Sequence, residues 1–160
     1  MNNWIYDEFK HCGVNYSDLK EVEEYDEQHQ KFRNFQKEVD TLLEDLNFSN
    51  SKELTVIDFG CGTGAFEIYA SKYFKKIYAI DTSKAMLEVA KNKAFKENIL
   101  NVEYIHSGFL NYKNKDSLVD LVTTKMAFHH LPDFWKQIAL FNINKTLKIG
   151  GILYISDIVF

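Results

Sequence analysis

The sequence predicts an α/β fold in which helices cover both faces of a doubly wound, mainly parallel sheet. From residue 55 onward, short apolar runs rich in β-branched residues alternate with longer stretches of helical period, as in repeated strand–helix units. The chain has 160 residues and 46% hydrophobic content, which suffices for one sizeable core. Pro occurs once and Gly seven times, which argues against a disordered chain. We therefore expect a single structural domain.

Five short runs have the composition of strands. The first, fourth and fifth are almost continuously apolar, as expected of strands covered on both faces, so we expect these three at the centre of the sheet. The predicted strands are Thr55–Phe59, Lys76–Ile80, Val102–His106, Leu118–Thr124 and Gly151–Ser156.

Helical periodicity predicts three helices between these strands and one before them. The three lie near Ala65–Tyr73, Lys84–Asn98 and Phe134–Leu147. In Gln28–Leu46, apolar residues recur at three- and four-residue spacing, which predicts an amphipathic helix on the sheet or over a pocket. Lys148–Gly151 fits a helix C-cap and a turn into the last strand. Residues 1–50 would then form a helical lid or cap, and residues 51–160 the core.

Charge and cysteine content restrict the partners and the compartment. The formal net charge of −4 provides no basic field for a phosphate backbone, which disfavours nucleic acid and favours a small-molecule partner. Cys12 and Cys61 are too few for a disulfide framework, and His, Cys and acidic residues show no metal-ligand spacing. No apolar run approaches the ~18 residues of a membrane span, and the amino terminus has no signal-peptide pattern. We expect a cytoplasmic protein without a membrane or metal partner.

The strongest functional motif is a glycine loop at the end of the first predicted strand. Gly60, Gly62 and Gly64 alternate with other residues and precede a predicted helix. Glycine permits positive φ angles and removes Cβ atoms, so main-chain N–H groups and the helix N-terminus can approach a polar ligand. Open α/β sheets bind ligands at such strand–loop–helix corners. The loop is therefore predicted to line a ligand site.

Asp81 is the second candidate for this site, because it follows the next strand and lies about 20 positions after Gly60. At that spacing its carboxylate can accept hydrogen bonds from both ribose hydroxyls of an adenosine lying over the loop. The alternative is a role as helix N-cap, which Thr82 or Ser83 could equally provide. We favour the ribose interpretation.

The loop alone does not identify its ligand, since Gly60–Ala65 also satisfies the dinucleotide pattern G-x-G-x-x-G/A. Asp58 distinguishes between the possible ligands, because an acid two residues before the loop would lie unfavourably close to the pyrophosphate of a dinucleotide. A ligand with an amino group and a sulfonium cation would instead be stabilised there. An NAD(P)-dependent oxidoreductase is therefore the less favoured alternative.

Taken together, these motifs resemble the class I S-adenosylmethionine-dependent methyltransferases, in particular the type 11 or ubiquinone/menaquinone-methyltransferase-like group. Asp58–Gly64 resembles the first family motif and Ile80–Leu87 the second. Leu118–Asp133 resembles the fourth strand and the segment facing the acceptor, and Leu147–Leu153 the turn before the fifth strand. The resemblance implies a Rossmann-like sheet of strand order 3-2-1-4-5, S-adenosylmethionine as cofactor, S-adenosylhomocysteine as product and a small-molecule methyl acceptor.

The resemblance also implies which residues bind the cofactor. They come from the glycine loop and from the ends of the second, third and fourth strands: Asp58, Gly60, Cys61, Gly62, Gly64, Asp81, Thr82, Met86, Ser107, Gly108, Phe109 and Lys125. Many relatives carry an acid soon after the third strand, where its carboxylate accepts from the adenine exocyclic amine. This sequence has no acid in Ser107–Asn111, so we expect adenine to be held by the backbone around Gly108, the Ser107 hydroxyl and apolar contacts from Phe109 or Met86.

Methyl transfer depends mainly on alignment of the reacting atoms, so a general base is optional. If the acceptor loses a proton, His129 and His130 are the candidate catalytic residues, because imidazole titrates near neutrality. The alternative is that this pair shapes the pocket or caps the following helix. Some polar and aromatic residues lie in the segment that usually forms a lid in this family, and for each we favour packing over ligand contact: Tyr6, Tyr16, Tyr25 and His29.

The family usually adds a helix and two strands, numbered 6 and 7, after the fifth strand, whereas this chain ends at Phe160. The apolar ending Ile155–Phe160 would expose a sheet edge suited to pairing with another chain. We therefore expect a fragment of a longer protein or a self-associating core, with a homodimer through the exposed edge or through swapped elements as one arrangement. This ending also leaves open a noncatalytic cofactor-binding module.

Overall fold

The computed structural model describes residues 4–10, 33–48, 50–114 and 118–158. Within them lies a five-stranded sheet with the order β3-β2-β1-β4-β5, in which all neighbouring strands pair in parallel. The strands are β1 Thr55–Phe59, β2 Lys76–Asp81, β3 Val102–His106, β4 Val119–Lys125 and β5 Leu147–Ser156. This is the predicted Rossmann-like strand order.

Four α-helices accompany the sheet in the described residues. They are α1 Phe35–Leu46, α2 Ala65–Ala70, α3 Lys84–Lys96 and α4 Asp133–Thr146, with 3-10 turns at Ser51–Glu53 and Phe128–His130. The α1 helix begins after Asn34, whose side chain accepts a hydrogen bond from the Lys37 N–H at 3.0 Å. None of the helices is long and apolar enough to cross a membrane in the part of the chain that the structure describes.

The two faces of the sheet are covered by different helices because successive residues of a strand point to opposite sides. On β1, Val56 packs with Val39 of α1 and Phe66 of α2. The next residue, Ile57, belongs to the cluster that contains Ala139 and Ile143 of α4. Each apolar side chain buried in this way stabilises the fold by about 1.5–3 kcal/mol. Because Val39 of α1 is buried in the same cluster as Val56, this helix is part of the core.

The structure corrects the prediction for the fifth strand. β5 begins at Leu147 rather than Gly151, and a register shift lies opposite Val119 and Leu121 of β4, near Gly150, whose φ is 82°. In the described sheet β5 is an edge strand, as the strand order implied by the resemblance has it, and not a central strand, as its apolar composition predicted. A continuous apolar run indicates that both faces of a strand are covered. It does not indicate whether the strand has one or two hydrogen-bonded neighbours. The homodimer through this edge stays a prediction.

Some of the predicted features lie outside the described residues. These are residues 28–32 of the first predicted helix and the side chains of Cys12, Tyr16, Tyr25 and His29. The division into a lid of residues 1–50 and a core of residues 51–160 and the cytoplasmic location likewise stay predictions.

Candidate functional site

A cleft opens at the carboxyl edge of the sheet. Parallel strands all end at this edge, so the loops that follow β1, β2, β3 and β4 meet around it. Eight of the predicted cofactor-binding residues line the cleft: Gly60, Gly62, Asp81, Thr82, Met86, Ser107, Gly108 and Phe109. The remaining lining residues are Tyr6, Glu8, Phe59, Met126, Ala127, His130 and Leu131.

The glycine loop has the backbone conformation that its sequence suggests. Gly60 and Gly62 have φ angles of 76° and 55°, in the left-handed region that favours glycine. The N–H groups of Gly60 and Cys61 both donate to the Ile80 carbonyl, at 2.8 and 3.1 Å. A Cβ on Gly60 would overlap the Ala127 side chain, whereas a Cβ on Gly62 would meet no atom within 4 Å. Gly60 is thus required by packing, and the open side of Gly62 leaves room for a ligand.

Asp81 is the last residue of β2, and its carboxylate accepts two main-chain hydrogen bonds. Oδ2 accepts from the Gly62 N–H and Oδ1 from the Ser83 N–H, both at 2.8 Å. The N-cap of α3 is Ser83, whose hydroxyl accepts from the Met86 N–H at 3.2 Å. Burial raises the pKa of Asp81, and the hydrogen bonds from Ser83 and Gly62 oppose this increase. A carboxylate has about four acceptor positions, so Asp81 can hold the loop and also face a ligand.

A second, smaller cleft adjoins the first and shares Gly60, Gly62 and Met126 with it. Three further predicted residues line this cleft, together with Arg33 and Phe66: Asp58, Cys61 and Lys125. The Lys125 ammonium lies 4.7 Å from the centre of the Phe66 ring and 3.5 Å from Oε2 of Glu38. Arg33 binds the same Glu38 carboxylate at 2.7 Å. Two cations therefore stand beside the loop in this cleft.

Gly64 lines neither cleft. A Cβ at this position would lie 2.8 Å from the Ala90 Cβ and 3.2 Å from the Tyr104 hydroxyl oxygen. Gly64 therefore allows α2 to start close against α3 and β3, which is a packing role.

Two carboxyl groups are buried below the loop. Asp58 is 3% exposed and accepts a hydrogen bond from the Thr123 hydroxyl at 2.5 Å, while Glu67 on α2 is fully buried. Burial raises the pKa of both groups, and the negative charge of Asp58 raises the pKa of Glu67 further, well above its usual range. The two carboxyl groups therefore form a buried acidic pair in which Glu67 is the one that gives up its proton less readily. Glu67 was not among the predicted site residues, because nothing in its local sequence pattern distinguishes it from an exposed helical glutamate.

The two histidines have different surroundings. His130 lines the main cleft, and His129 is not among the residues that line it. His129 Nδ1 lies 2.6 Å from Oδ1 of Asp157, and the His129 N–H donates to Oδ2 of Asp157 at 3.0 Å. Burial, and secondly the neighbouring His129, lower the pKa of His130. His130 is thus the neutral imidazole at the cleft, and Asp157 fixes the turn that carries it.

The amino-terminal segment of residues 4–10 covers one side of the cleft. The rings of Trp4 and Tyr6 pack on Trp135 of α4, with centroid distances of 5.8 and 6.3 Å. The Tyr6 hydroxyl donates to the His130 carbonyl at 3.5 Å, and Glu8 is 2% exposed. Neither Glu8 nor Arg33 was predicted as a site residue. Glu8 comes from an opening segment without a regular pattern, and Arg33 lies in the predicted helix Gln28–Leu46, whose periodicity does not show that this residue precedes α1 and reaches the cleft.

In the part of the chain that the structure describes, no three His, Cys, Asp or Glu side chains lie close enough together to bind a metal ion. That the protein needs no metal stays a prediction.

Comparison with known proteins identifies the family. A family model described as a methyltransferase domain matches residues 56–151. An uncharacterized methyltransferase of Schizosaccharomyces pombe is 30% identical over 75% of this chain and 44% of its own length. Another from Bacillus mycoides is 27% identical over 99% of this chain and 68% of its own length.

Solved structures share the fold. A SAM-dependent methyltransferase from Aquifex aeolicus has a TM-score of 0.69 and 27% identity, over 88% of this chain and 72% of that one. An S-adenosylmethionine-dependent methyltransferase from Clostridium acetobutylicum has a TM-score of 0.71 and 23% identity, over 84% of this chain and 55% of that one. The chain thus spans less than half of the Schizosaccharomyces relative and about half of the Clostridium protein. It belongs to the methyltransferase domain family and has the fold of the class I S-adenosylmethionine-dependent methyltransferases.

Proposed function

We propose that the chain binds S-adenosylmethionine at the carboxyl edge of its sheet and takes part in transferring the methyl group to a small-molecule acceptor. The observation that carries the proposal is the cleft in which the open face of Gly62 adjoins the Asp81 carboxylate. Membership in the methyltransferase domain family supports the same assignment. The names of the compared relatives give no support to the oxidoreductase or to the noncatalytic module.

The residues present fit the two halves of the cofactor. The main cleft offers Asp81 for ribose hydroxyls and the apolar side chains of Met86 and Phe109 for adenine. The adjoining cleft offers Arg33 and Lys125 for the methionine carboxylate. Of the other predicted residues, Thr82, Ser107 and Gly108 line the main cleft, Asp58 and Cys61 line the adjoining one, and Gly60 and Gly62 line both, whereas Gly64 acts through packing.

The acidic pair under the loop fits a cationic ligand. Asp58 and Glu67 are buried side by side, and a negative charge on this pair would favour the sulfonium and the amino group electrostatically. It would disfavour a pyrophosphate in the same place. The pair therefore supports S-adenosylmethionine over a nicotinamide dinucleotide.

The bound cofactor would supply an electrophilic methyl group, and the chain would align it with the acceptor and exclude water. Alignment alone can provide a large share of the acceleration. For an acceptor that loses a proton, His130 is the candidate general base, because its lowered pKa keeps the imidazole neutral at pH 7. His129 would then act indirectly, held by Asp157 and in ring contact with His130 at 4.1 Å.

Calorimetric titration with S-adenosylhomocysteine and with NADH tests the proposal. We expect saturable 1:1 binding of S-adenosylhomocysteine and none of NADH at the same concentration. Binding of NADH alone would overturn the proposal. Cofactor binding without turnover, in a chain extended to the length of the relatives and assayed with a broad acceptor panel, would favour the noncatalytic module.

A further inference from the structure

Glu8 occupies an unusual position for a residue of the amino-terminal segment. Its carboxyl group lies against Gly108, in the space that a Cβ on Gly108 would fill. Glu8 lines the main cleft together with Asp81, Met86 and Phe109. Glu8 thus occupies the space that a side chain at position 108 would fill, in the loop that follows β3 (the β3 loop, residues 107–111).

The position of this carboxylate is fixed by the β3 loop. Oε1 of Glu8 accepts from the Leu110 N–H at 2.8 Å and from the Asn111 side-chain amide at 3.0 Å. The side chain is 2% exposed, and burying a carboxylate in this way is costly without such partners. Burial raises the pKa of Glu8, and the hydrogen bonds from the loop oppose that increase. The loop therefore holds an acid at the wall of the cleft.

The loop residues from Ser107 to Asn111 contain no carboxylate of their own. A nucleobase with an exocyclic amine presents N–H donors at its edge, and a carboxylate is the strongest acceptor that a side chain can offer to them. We propose that Glu8 binds the exocyclic amine of the adenine, so that the amino-terminal segment supplies the acid that the β3 loop lacks. This inference rests on the proposed binding of S-adenosylmethionine and adds the residue that makes the site specific for adenine.

The experiment compares S-adenosylhomocysteine with S-inosylhomocysteine, in which a keto oxygen replaces the exocyclic amine. A carboxylate accepts from the amine and repels the keto oxygen, so the wild-type chain should bind S-adenosylhomocysteine at least roughly tenfold more tightly. Glu8→Ala should bring the two dissociation constants to within about threefold of one another. Glu88→Gln, on the exposed side of α3, is the matched control and should leave the preference unchanged.

A double variant that moves the acid from position 8 to position 108 separates recognition of the adenine from anchoring of the amino-terminal segment. Gly108 does not have a positive φ, and the space of its Cβ is freed when Glu8 is shortened, so Glu8→Ala with Gly108→Asp should fold and recover most of the preference. A wild-type preference that survives in Glu8→Ala would overturn the inference and leave the proposed function standing. Binding of neither compound by the folded wild-type chain would overturn both.

Discussion

The Gly62 N–H donates to Oδ2 of Asp81 at 2.8 Å, and this bond ties the glycine loop after β1 to the end of β2. The other carboxylate oxygen accepts from Ser83 at the start of α3. One side chain therefore connects the turn after β1 with the turn after β2. The same carboxylate faces the cleft, so the loop and the proposed ribose contact are fixed together.

Replacing Asp81 should weaken cofactor binding. Asp81→Ala removes charge-assisted hydrogen bonds, and we expect a loss of about 1–3 kcal/mol in the binding of S-adenosylhomocysteine by calorimetry. Asp133→Asn, an exposed acid at the start of α4, is the control and should bind normally. Unchanged affinity in Asp81→Ala would remove Asp81 from the site.

The two loop glycines should respond differently to the same substitution. Gly60→Ala combines a positive φ with overlap of the Ala127 side chain, so we expect a loss of stability of about 2–5 kcal/mol. Gly62→Ala should lose only about 1–2 kcal/mol because no atom is near its Cβ. Its added methyl group should instead weaken cofactor binding. Denaturant unfolding with and without S-adenosylhomocysteine measures both effects, and equal destabilisation by the two variants would contradict the loop geometry.

Glu67 should make stability depend on pH. Its folded-state pKa lies above the unfolded value, so its contribution is fully present below about pH 4.3 and decreases as the pH rises toward the folded-state pKa. Glu67→Gln cannot ionise, so its stability relative to the wild type should increase with pH, by at most about 1.4 kcal/mol per pH unit. Unfolding by urea between pH 5 and pH 8 measures this difference. A constant difference across that range would show that Glu67 ionises normally.

Substitutions of His129 and His130 should have different effects on kcat in a turnover assay with an acceptor that loses a proton on methylation. His130→Gln should lower kcat by about 10²-fold or more, the range expected for loss of a general base. His129→Gln should have a smaller effect and should raise the apparent pKa of the kcat profile, because the neighbouring His129 lowers the pKa of His130. Equal kcat values for His130→Gln and the wild type would remove general-base catalysis by this residue.

The sequence predicted the parts of the site that local patterns determine. The glycine loop and Asp81 follow apolar strands directly, so their place at one sheet edge follows from the parallel topology. Glu8 comes from a segment without regular period and Arg33 from the predicted helix Gln28–Leu46, and only the folded chain brings them to the two clefts. Glu67 was missed because burial on α2 depends on how that helix packs. The apolar composition of β5 wrongly predicted a central strand, because composition does not determine strand order, whereas the order implied by the family resemblance places β5 at the edge, as observed.

The most direct test of cofactor binding at this edge is a crystal structure of the chain with S-adenosylhomocysteine. We expect electron density for the nucleoside in the main cleft, with both ribose hydroxyls within about 3 Å of the Asp81 carboxylate oxygens. Density for the ligand elsewhere, with the Gly62–Asp81 corner closed by protein side chains, would contradict the account.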